Sequence, residues 1–271
     1  MKSKTGTGEA VSNAADKPQP GTGKNALKLL DVGVSYGRFI AVECASFSID
    51  VGECVAMVGP NGSGKSSIGM ACAGLVHASG SIQVFGQEAP RGDAAWMAKR
   101  GVILVPERRQ LFPQMTVEDN IVLGCYPWTR SIRQARKSDV YQRLYESFPD
   151  LSSRRKQLAG TLSGGQQQMV ALARGLASQP RVLIVDEPCL GLAEGIGDRV
   201  YELLKQLTAQ GETVLLIEED PRRALEISSR IVRVERGVTR ESELSPAGFA
   251  SRAQDRMAQD SLAQGNAGEY Q

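Results

Sequence analysis

The sequence predicts an α/β fold in which a parallel sheet carries a glycine-rich loop and accepts a helical insertion. Residues 101–105 and 181–186 contain continuous apolar runs, which are typical of parallel strands buried on both faces of a sheet. Residues 59–66 form a glycine-rich stretch between an apolar strand and a helix. Residues 116–158 are instead charged and mostly helical in pattern, and they therefore indicate an insertion into the α/β arrangement.

Strands are predicted where apolar residues alternate with polar ones, or run together, between turn residues. The strand before the glycine-rich stretch ends where its apolar run meets the first glycine. In chain order the predicted strands are 27–36, 39–42 and 45–49, which alternate; 53–58, which leads into the glycine-rich stretch; 80–86, which lies between glycines; the apolar runs 101–105, 181–186 and 213–217; and a hairpin of 231–234 with 238–240 around a Glu-Arg-Gly turn.

Helices are predicted from apolar spacing and from the residues that begin them. Thr116 is followed by acids in the first turn, and Ser163 and Gln166 have the spacing of a capping box. In chain order the predicted helices are 66–75 after the glycine-rich stretch; 94–100; one opening at 116 and interrupted at 126–129; 138–148, with apolar residues at four-residue spacing; one that follows the capping box at 163–166 and ends at Gln179-Pro180; the amphipathic segment 198–210; and 221–229.

The composition narrows the function classes. The 271 residues include 32 basic and 30 acidic side chains, and no clustered basic face of the kind that binds nucleic acid. His77 is the only histidine, which argues against a zinc site and against any Ser-His or Cys-His catalytic arrangement without it. The five cysteines have no paired spacing and indicate buried thiols in a reducing compartment. No apolar run approaches the ~18 residues that a membrane span needs.

Residues 59–66 fit the pattern G-x-x-x-x-G-K-[ST] in the strand-to-helix context that this pattern requires. Glycines let the backbone curl until several N–H groups point at one anion, and the start of the helix adds its unpaired N–H groups and its dipole. Lys65 is expected to carry a positive charge to the β- and γ-phosphates of a nucleotide, and Ser66 to offer a hydroxyl to Mg²⁺. An ordinary glycine-rich turn is the alternative interpretation.

Two adjacent acids, Asp186 and Glu187, end a predicted buried strand. Because buried parallel strands deliver their carboxyl ends to the ligand edge of an α/β sheet, Asp186 is expected to reach the Mg²⁺. Glu187, one residue later, is expected to polarise a water, and one metal ligand followed by one general base fits a hydrolase. The alternative is that both acids cap the next helix.

A further motif, Leu162-Ser163-Gly164-Gly165-Gln166, precedes that strand. With it, residues 27–245 resemble the nucleotide-binding subunits of ABC transporters. The resemblance implies the ABC ATPase fold, which is an α/β P-loop NTPase core with an antiparallel β subdomain and a helical insertion. It implies an ATP-binding domain at 26–245, with a helical subdomain at about 108–178, between a disordered tail at 1–25 and a polar tail at 246–271.

In that family two subunits pair head to tail, and ATP is trapped between the phosphate loop of one and the signature motif of the other. The resemblance therefore implies ATP and Mg²⁺ as cofactors and a second ABC ATPase subunit, identical or different, as a partner. Glu107 takes the place of the glutamine-loop residue, and Mg²⁺ would be held by Ser66, Glu107 and Asp186. Nucleotide contacts are implied for Tyr36, which stacks on adenine, for Gly59, Pro60, Asn61, Gly62, Ser63, Gly64, Lys65, Ser66 and Ser67 of the loop, and for Ser163, Gly164, Gly165 and Gln166 of the partner's signature.

Residues 105–113, 115–120, 186–193 and 216–220 resemble the ATPases of branched-chain amino acid importers. Such complexes have two ATPases, two membrane subunits and a periplasmic binding protein. The resemblance implies an ATP hydrolase at the cytoplasmic face of the inner membrane, peripheral to it, that contacts the transmembrane permease subunits directly and the periplasmic protein indirectly. Phe112, Met115 and Trp128 are candidate contacts with the membrane subunits, and packing inside the helical block is the alternative for Trp128.

Glu219 departs from the family pattern, which has histidine at this position and, in this subgroup, often glutamine. A carboxylate about 4 Å from the γ-phosphate would be repelled by about 4 kcal/mol per unit charge at an effective dielectric constant of 20. We therefore expect Glu219, which occupies a catalytic position, to turn away, to be protonated or to leave its site slow. A solvated acidic turn is the alternative.

Other functions stay open from the sequence alone. The chain could serve another ABC system, such as a urea or amide importer or an exporter. A soluble ABC ATPase acting on nucleic acid is a second class, but those usually carry two cassettes or a long coiled-coil insert. A nucleotide-binding regulator that hydrolyses little would rest on Glu219 alone.

Overall fold

The computed structural model describes residues 25–242, and the two predicted tails lie outside them except for Asn25. Ten strands form one sheet in the order β5-β4-β1-β2-β10-β9-β3-β8-β7-β6. The strands are β1 Asn25–Tyr36, β2 Phe39–Asp50, β3 Cys54–Val58, β4 Ser81–Val84, β5 Gln87–Glu88, β6 Val102–Val105, β7 Val182–Asp186, β8 Val214–Glu218, β9 Arg230–Glu235 and β10 Val238–Ser242.

The sheet has a parallel half and an antiparallel half. Strands β9, β3, β8, β7 and β6 pair in parallel, whereas β1, β2, β4 and β5 pair antiparallel. Every residue of β3, β7 and β8 is buried, as expected for strands covered on both faces. Their carboxyl ends lie at one edge of the sheet, so the segments after β3, β6, β7 and β8 meet there.

Helices cover the sheet and form the insertion between β6 and β7. Each element of the predicted α/β core is present, and the helical block is divided into short helices. The helices are α1 Lys65–Cys72, α2 Ala94–Lys99, α3 Val117–Leu123, α4 Ile132–Lys137, α5 Asp139–Ser147, α6 Pro149–Ser152, α7 Gly164–Ala177, α8 Glu194–Ala209 and α9 Pro221–Leu225.

The helical block shares a hydrophobic core with the parallel sheet. Ile121, Leu144 and Leu172 are buried together with Val185 of β7. The indole Nε1 of Trp128 donates a hydrogen bond to the Ala177 carbonyl at 2.8 Å, at the end of α7. Trp128 is therefore a packing residue of this block, which confirms the alternative stated for it.

Several predicted elements differ from the structure. Residues 39–49 are not two strands but one, β2, because the N–H groups of Glu43 and Cys44 donate to the Gly237 carbonyl at 2.9 and 3.1 Å and keep the backbone extended. The two-residue strand β5 was missed, and α8 begins one turn earlier than predicted. Helix α9 ends at Leu225, before the predicted 229, because the Ser229 N–H donates instead to the Cys54 carbonyl at 2.9 Å.

No helix in the described part of the chain is both long enough and apolar enough to span a membrane.

Candidate functional site

The glycine-rich loop joins β3 to α1 and leaves the first N–H groups of that helix without a side-chain cap. Gly64 precedes the helix with φ at +105°, a left-handed conformation that side chains other than glycine rarely adopt. A Cβ atom there would also lie 2.5 Å from the Ala41 carbonyl oxygen. The loop therefore presents backbone donors to an anion, as its sequence pattern predicts.

Lys65 is held inside the loop. Its Nζ donates hydrogen bonds to the carbonyl oxygens of Gly59 at 2.7 Å and Pro60 at 3.2 Å. The same Nζ lies 3.5 Å from Oε1 of Glu187, and both side chains are buried. The end of β7 thus brings the carboxylate of Glu187 to the cation of the phosphate loop, across more than a hundred residues of sequence.

Glu187 has the features of a positioned base. Its φ of +45° lies in the left-handed region, and its N–H donates to the Ile217 carbonyl of β8 at 3.0 Å. Burial raises the pKa of Glu187, Lys65 opposes that shift, and the charges of Asp186 and Glu219 add to it. A raised pKa makes the carboxylate a better proton acceptor near neutral pH.

Asp186, Ser66 and Glu107 form a group of oxygen donors beside the loop. The Oδ1 atom of Asp186 is buried and has no hydrogen-bond partner among the described residues. Burial raises the pKa of Asp186, the Ser66 hydroxyl opposes this shift, and the negative charge of Glu107 adds to it. An unpartnered carboxylate oxygen next to a hydroxyl and a second carboxylate fits Mg²⁺, which prefers such ligands and takes few from the protein.

The loop that carries Glu107 is fixed to α7. Arg109 and Gln110 have φ of +56° and +47°, and the Arg174 guanidinium donates to their carbonyl oxygens at 2.7 and 2.8 Å. Arg109 in turn donates from Nε to the side-chain oxygen of the buried Gln168 at 3.2 Å. The sequence analysis did not predict that Gln168 and Arg174 hold this loop. The one signal for it was that both are long polar side chains on a helix that packs against the rest of the fold.

The cleft above the loop has a volume of about 390 Å³ and an aromatic wall. Tyr36 lines it, is 43% exposed, and lies near Ser67, with its hydroxyl 3.3 Å from Oγ. Phe39 pairs with Tyr36 across the β1–β2 hairpin and also lines the cleft, as does Leu190. The sequence analysis missed Phe39, whereas Leu190 lies in the segment 186–193 that carries part of the family resemblance. The short turn between Tyr36 and Phe39 is a signal that could have placed both rings on one side.

The signature residues lie apart from this cleft. Ser163 and Gln166 form the predicted capping box at the start of α7, which is confirmed. Ser163 and Gly164 are exposed, whereas a Cβ on Gly165 would lie 2.1 Å from Cγ2 of Ile196 in α8. Gly165 is therefore required by packing inside the chain. None of the described residues lining the cleft belongs to the signature.

Glu219 faces the phosphate loop. Its Oε2 accepts a hydrogen bond from Nδ2 of Asn61 at 2.8 Å. Strands β3 and β8 pair so that Val58 is aligned with Glu218, which brings the residues after these strands together. Of the three outcomes expected for Glu219, turning away from the loop is therefore wrong, whereas protonation and a slow site stay predictions.

Comparison with known proteins gives the family. A family model described as ABC transporter matches residues 42–190, more than half of the chain. The chain belongs to the ABC transporter family. It is similar to the high-affinity branched-chain amino acid transport ATP-binding protein BraG of Pseudomonas aeruginosa, with 37% identity over 207 residues that cover 76% of this chain and 87% of BraG.

Another relative of this ABC protein is named for export, and a similar solved structure contains nucleotide. The Nod factor export ATP-binding protein I of a Rhizobium species is 33% identical over 215 residues, which cover 79% of this chain and 69% of that protein. A solved dimeric ATP-binding cassette in a post-hydrolysis state, bound to ADP and Pi, superposes with a TM-score of 0.69 at 27% identity, covering 80% of this chain and 97% of that one.

These similarities confirm the predicted ABC ATPase fold and identify the protein as an ATP hydrolase of the ABC type. Such cassettes bind nucleotide, form dimers and work at the membrane with the membrane subunits of transporters.

Proposed function

We propose that this chain is the ATP-binding subunit of an ABC importer, coupling ATP hydrolysis to the transport of branched-chain or other amino acids across the cytoplasmic membrane. The observation that carries the hydrolytic part is the buried Glu187 carboxylate, 3.5 Å from the Lys65 cation of the phosphate loop. The similarity to BraG supports the substrate class. The predicted domain bounds, 26–245 with a helical subdomain at about 108–178, belong to the same proposal.

Glu187 accepts a proton from the water that attacks the terminal phosphate of ATP. Its raised pKa suits this role, and its position beside Lys65 puts the base next to the cation that binds the terminal phosphates. The uncapped N–H groups at the start of α1 hold the phosphates, and Tyr36 stacks on the base. Ser67 lines the loop side of the cleft.

Ser66, Asp186 and Glu107 hold Mg²⁺ in this proposal. Mg²⁺ supplies positive charge that balances the β- and γ-phosphates. The unpartnered Oδ1 of Asp186 supports the assignment, and the anchoring of the Glu107 loop to Arg174 keeps the third ligand near the other two.

A second ABC ATPase subunit, identical or different, completes the site with Ser163, Gly164, Gly165 and Gln166 of its own signature. The exposure of Ser163 and Gly164 outside the chain's own cleft supports this arrangement. The remaining partners are transmembrane permease subunits at the cytoplasmic face of the membrane and, indirectly, a periplasmic substrate-binding protein. Phe112, which is 52% exposed beside the Glu107 loop, is the strongest candidate for contact with a permease.

Export is the second candidate function, because the Nod factor export ATPase is also a relative. Measuring amino acid uptake by cells of the source organism distinguishes import from export. Deleting the gene for this chain should lower the uptake of labelled leucine, and the wild-type gene should restore it while Lys65→Met should not. Unchanged uptake of all three branched-chain amino acids would reject them as the substrates, and accumulation of a compound inside the deletion strain would favour export over import.

A further inference from the structure

A single hydrogen bond links the phosphate loop to the end of β8. The donor is Nδ2 of Asn61, in the middle of the loop, and the acceptor is Oε2 of Glu219, at 2.8 Å. The side chain of Glu219 is exposed, so no packing forces it into this position. The bond therefore sets where the negative charge of Glu219 lies with respect to the loop.

No residue in the described part of the chain forms an ion pair with Glu219. The two nearby arginines are paired with other acids: Arg222 with Asp220 at 3.0 Å, and Arg223 with Asp198 at 3.7 Å. The Nζ atom of Lys65, the cation of the loop, contacts two loop carbonyls and Glu187.

This carboxylate without an ion pair lies at the loop whose lysine reaches the end of a nucleotide's phosphate chain. The loop lysine of such sites reaches the β- and γ-phosphates, and the terminal group of a triphosphate therefore lies near Lys65, Glu187 and the Asn61 side of the loop. A diphosphate lacks the terminal group and carries less charge. Coulomb repulsion falls with distance, so Glu219 acts more strongly on a triphosphate than on a diphosphate.

We propose that Glu219, held at the loop by Asn61, lowers the affinity of this site for nucleoside triphosphates relative to diphosphates. The inference rests on the proposed nucleotide site and deepens it. Replacing the carboxylate by an amide removes the charge and keeps an oxygen that can accept the hydrogen bond from Asn61. Glu219→Gln is therefore a change of charge at an almost constant shape.

The test is calorimetric titration of the purified full chain with Mg-ADP and with the Mg complex of the non-hydrolysable β,γ-imido analogue of ATP. Glu219→Gln should bind the triphosphate analogue roughly tenfold more tightly, and its affinity for ADP should change less than about twofold. Glu226→Gln is the matched control, because it removes one exposed charge from the same end of the fold away from the loop. Its two affinities should equal those of the wild type.

Equal gains for both nucleotides in Glu219→Gln, or no change in their ratio, would overturn the inference and leave the nucleotide site intact. Failure of the wild type and of both variants to bind either nucleotide would instead reject the nucleotide site itself. Raising the KCl concentration gives a second measurement, because salt screens the charge of Glu219. In the wild type, the difference in affinity between ADP and the triphosphate analogue should become smaller. In Glu219→Gln, the same difference in affinity should stay nearly constant.

Discussion

The hydroxyl of Tyr201 in α8 donates a hydrogen bond to the carboxylate of Glu218, the last residue of β8, and both side chains are buried. Burial raises the pKa of Glu218 to about 7, the bond from Tyr201 opposes this shift, and the charge of Glu187 adds to it. The Arg223 guanidinium lies over the Tyr201 ring, 5.3 Å from its centroid. A buried acid is thus close enough to the proposed base for their charges to interact.

The pKa of Glu218 gives stability a dependence on pH. Below pH 4.5, the ordinary pKa of a glutamate, the Glu218 carboxyl is protonated in both the folded and the unfolded chain. Between pH 4.5 and about 7 it is protonated in the folded chain only. The contribution of Glu218 to stability is therefore fully present below pH 4.5 and is lost as the pH rises through about 7, at a cost of about 3 kcal/mol at most.

Glu218→Gln should accordingly stabilise the protein at pH 8.5 by about 2–3 kcal/mol more than at pH 5.0, measured by urea unfolding. Glu202→Gln, an exposed acid on α8, should show no such difference. An equal effect of Glu218→Gln at the two pH values would mean that Glu218 titrates normally.

Gly165 is predicted to tolerate no side chain. Gly165→Ala brings a methyl group into Ile196 and should lower the free energy of unfolding by about 1–3 kcal/mol. Gly164→Ala is the control, since its nearest contact is the flexible Arg109 guanidinium at 3.4 Å, and it should cost less than about 0.5 kcal/mol.

Adding Ile196→Ala to Gly165→Ala removes the clash, and the two changes together should cost less than the sum of the single changes. Strict additivity in thermal unfolding would show that the conformation at the start of α7, and not the contact with α8, requires the glycine.

Arg174 is predicted to hold the Glu107 loop in place. Arg174→Met keeps much of the side-chain stem but removes both hydrogen bonds to the loop carbonyls, and the two left-handed residues there should then leave their conformation. Trypsin should cut after Arg108 and Arg109 several-fold faster than in the wild type. Arg143→Met, an exposed change on α5, should leave this cleavage rate unaltered; equal rates in all three proteins would contradict the anchoring role.

Phe39 is predicted to contact the base of the nucleotide together with Tyr36. Phe39→Ala should weaken ATP binding by about tenfold, because stacking on one aromatic ring contributes about 1–3 kcal/mol. Binding of inorganic tripolyphosphate, which has no base, should not change. Ile40→Ala serves as the control, because Ile40 is 65% exposed but does not line the cleft. A loss of tripolyphosphate affinity in Phe39→Ala would point to damage to the loop instead.

Much of the fold could be predicted, because its elements are determined by local patterns. The apolar runs of β3, β7 and β8 are buried throughout, and the capping residues Thr116 and Ser163 begin helices as expected. The predictions that were wrong concern elements whose ends depend on residues far away in the sequence. The continuity of β2 requires the Gly237 carbonyl, and the early end of α9 requires the Cys54 carbonyl.

In the candidate site, too, local motifs could be predicted and contacts between distant segments could not. The loop of Lys65 and the pair Asp186 and Glu187 follow from short motifs, and the structure brings them together. The contact of Asn61 with Glu219 depends on the order of strands in the sheet, which no local pattern contains. The packing of Gly165 against Ile196 likewise gives a structural reason for a glycine that the sequence analysis assigned to nucleotide binding.

The most direct test of the account is the release of phosphate from saturating Mg-ATP by the purified protein and by Glu187→Gln. The amide cannot accept the proton of the attacking water, so we expect Glu187→Gln to bind ATP at least as well as the wild type and to hydrolyse it at least about 100-fold more slowly. Hydrolysis by Glu187→Gln at the wild-type rate would contradict the assignment of Glu187 as the base.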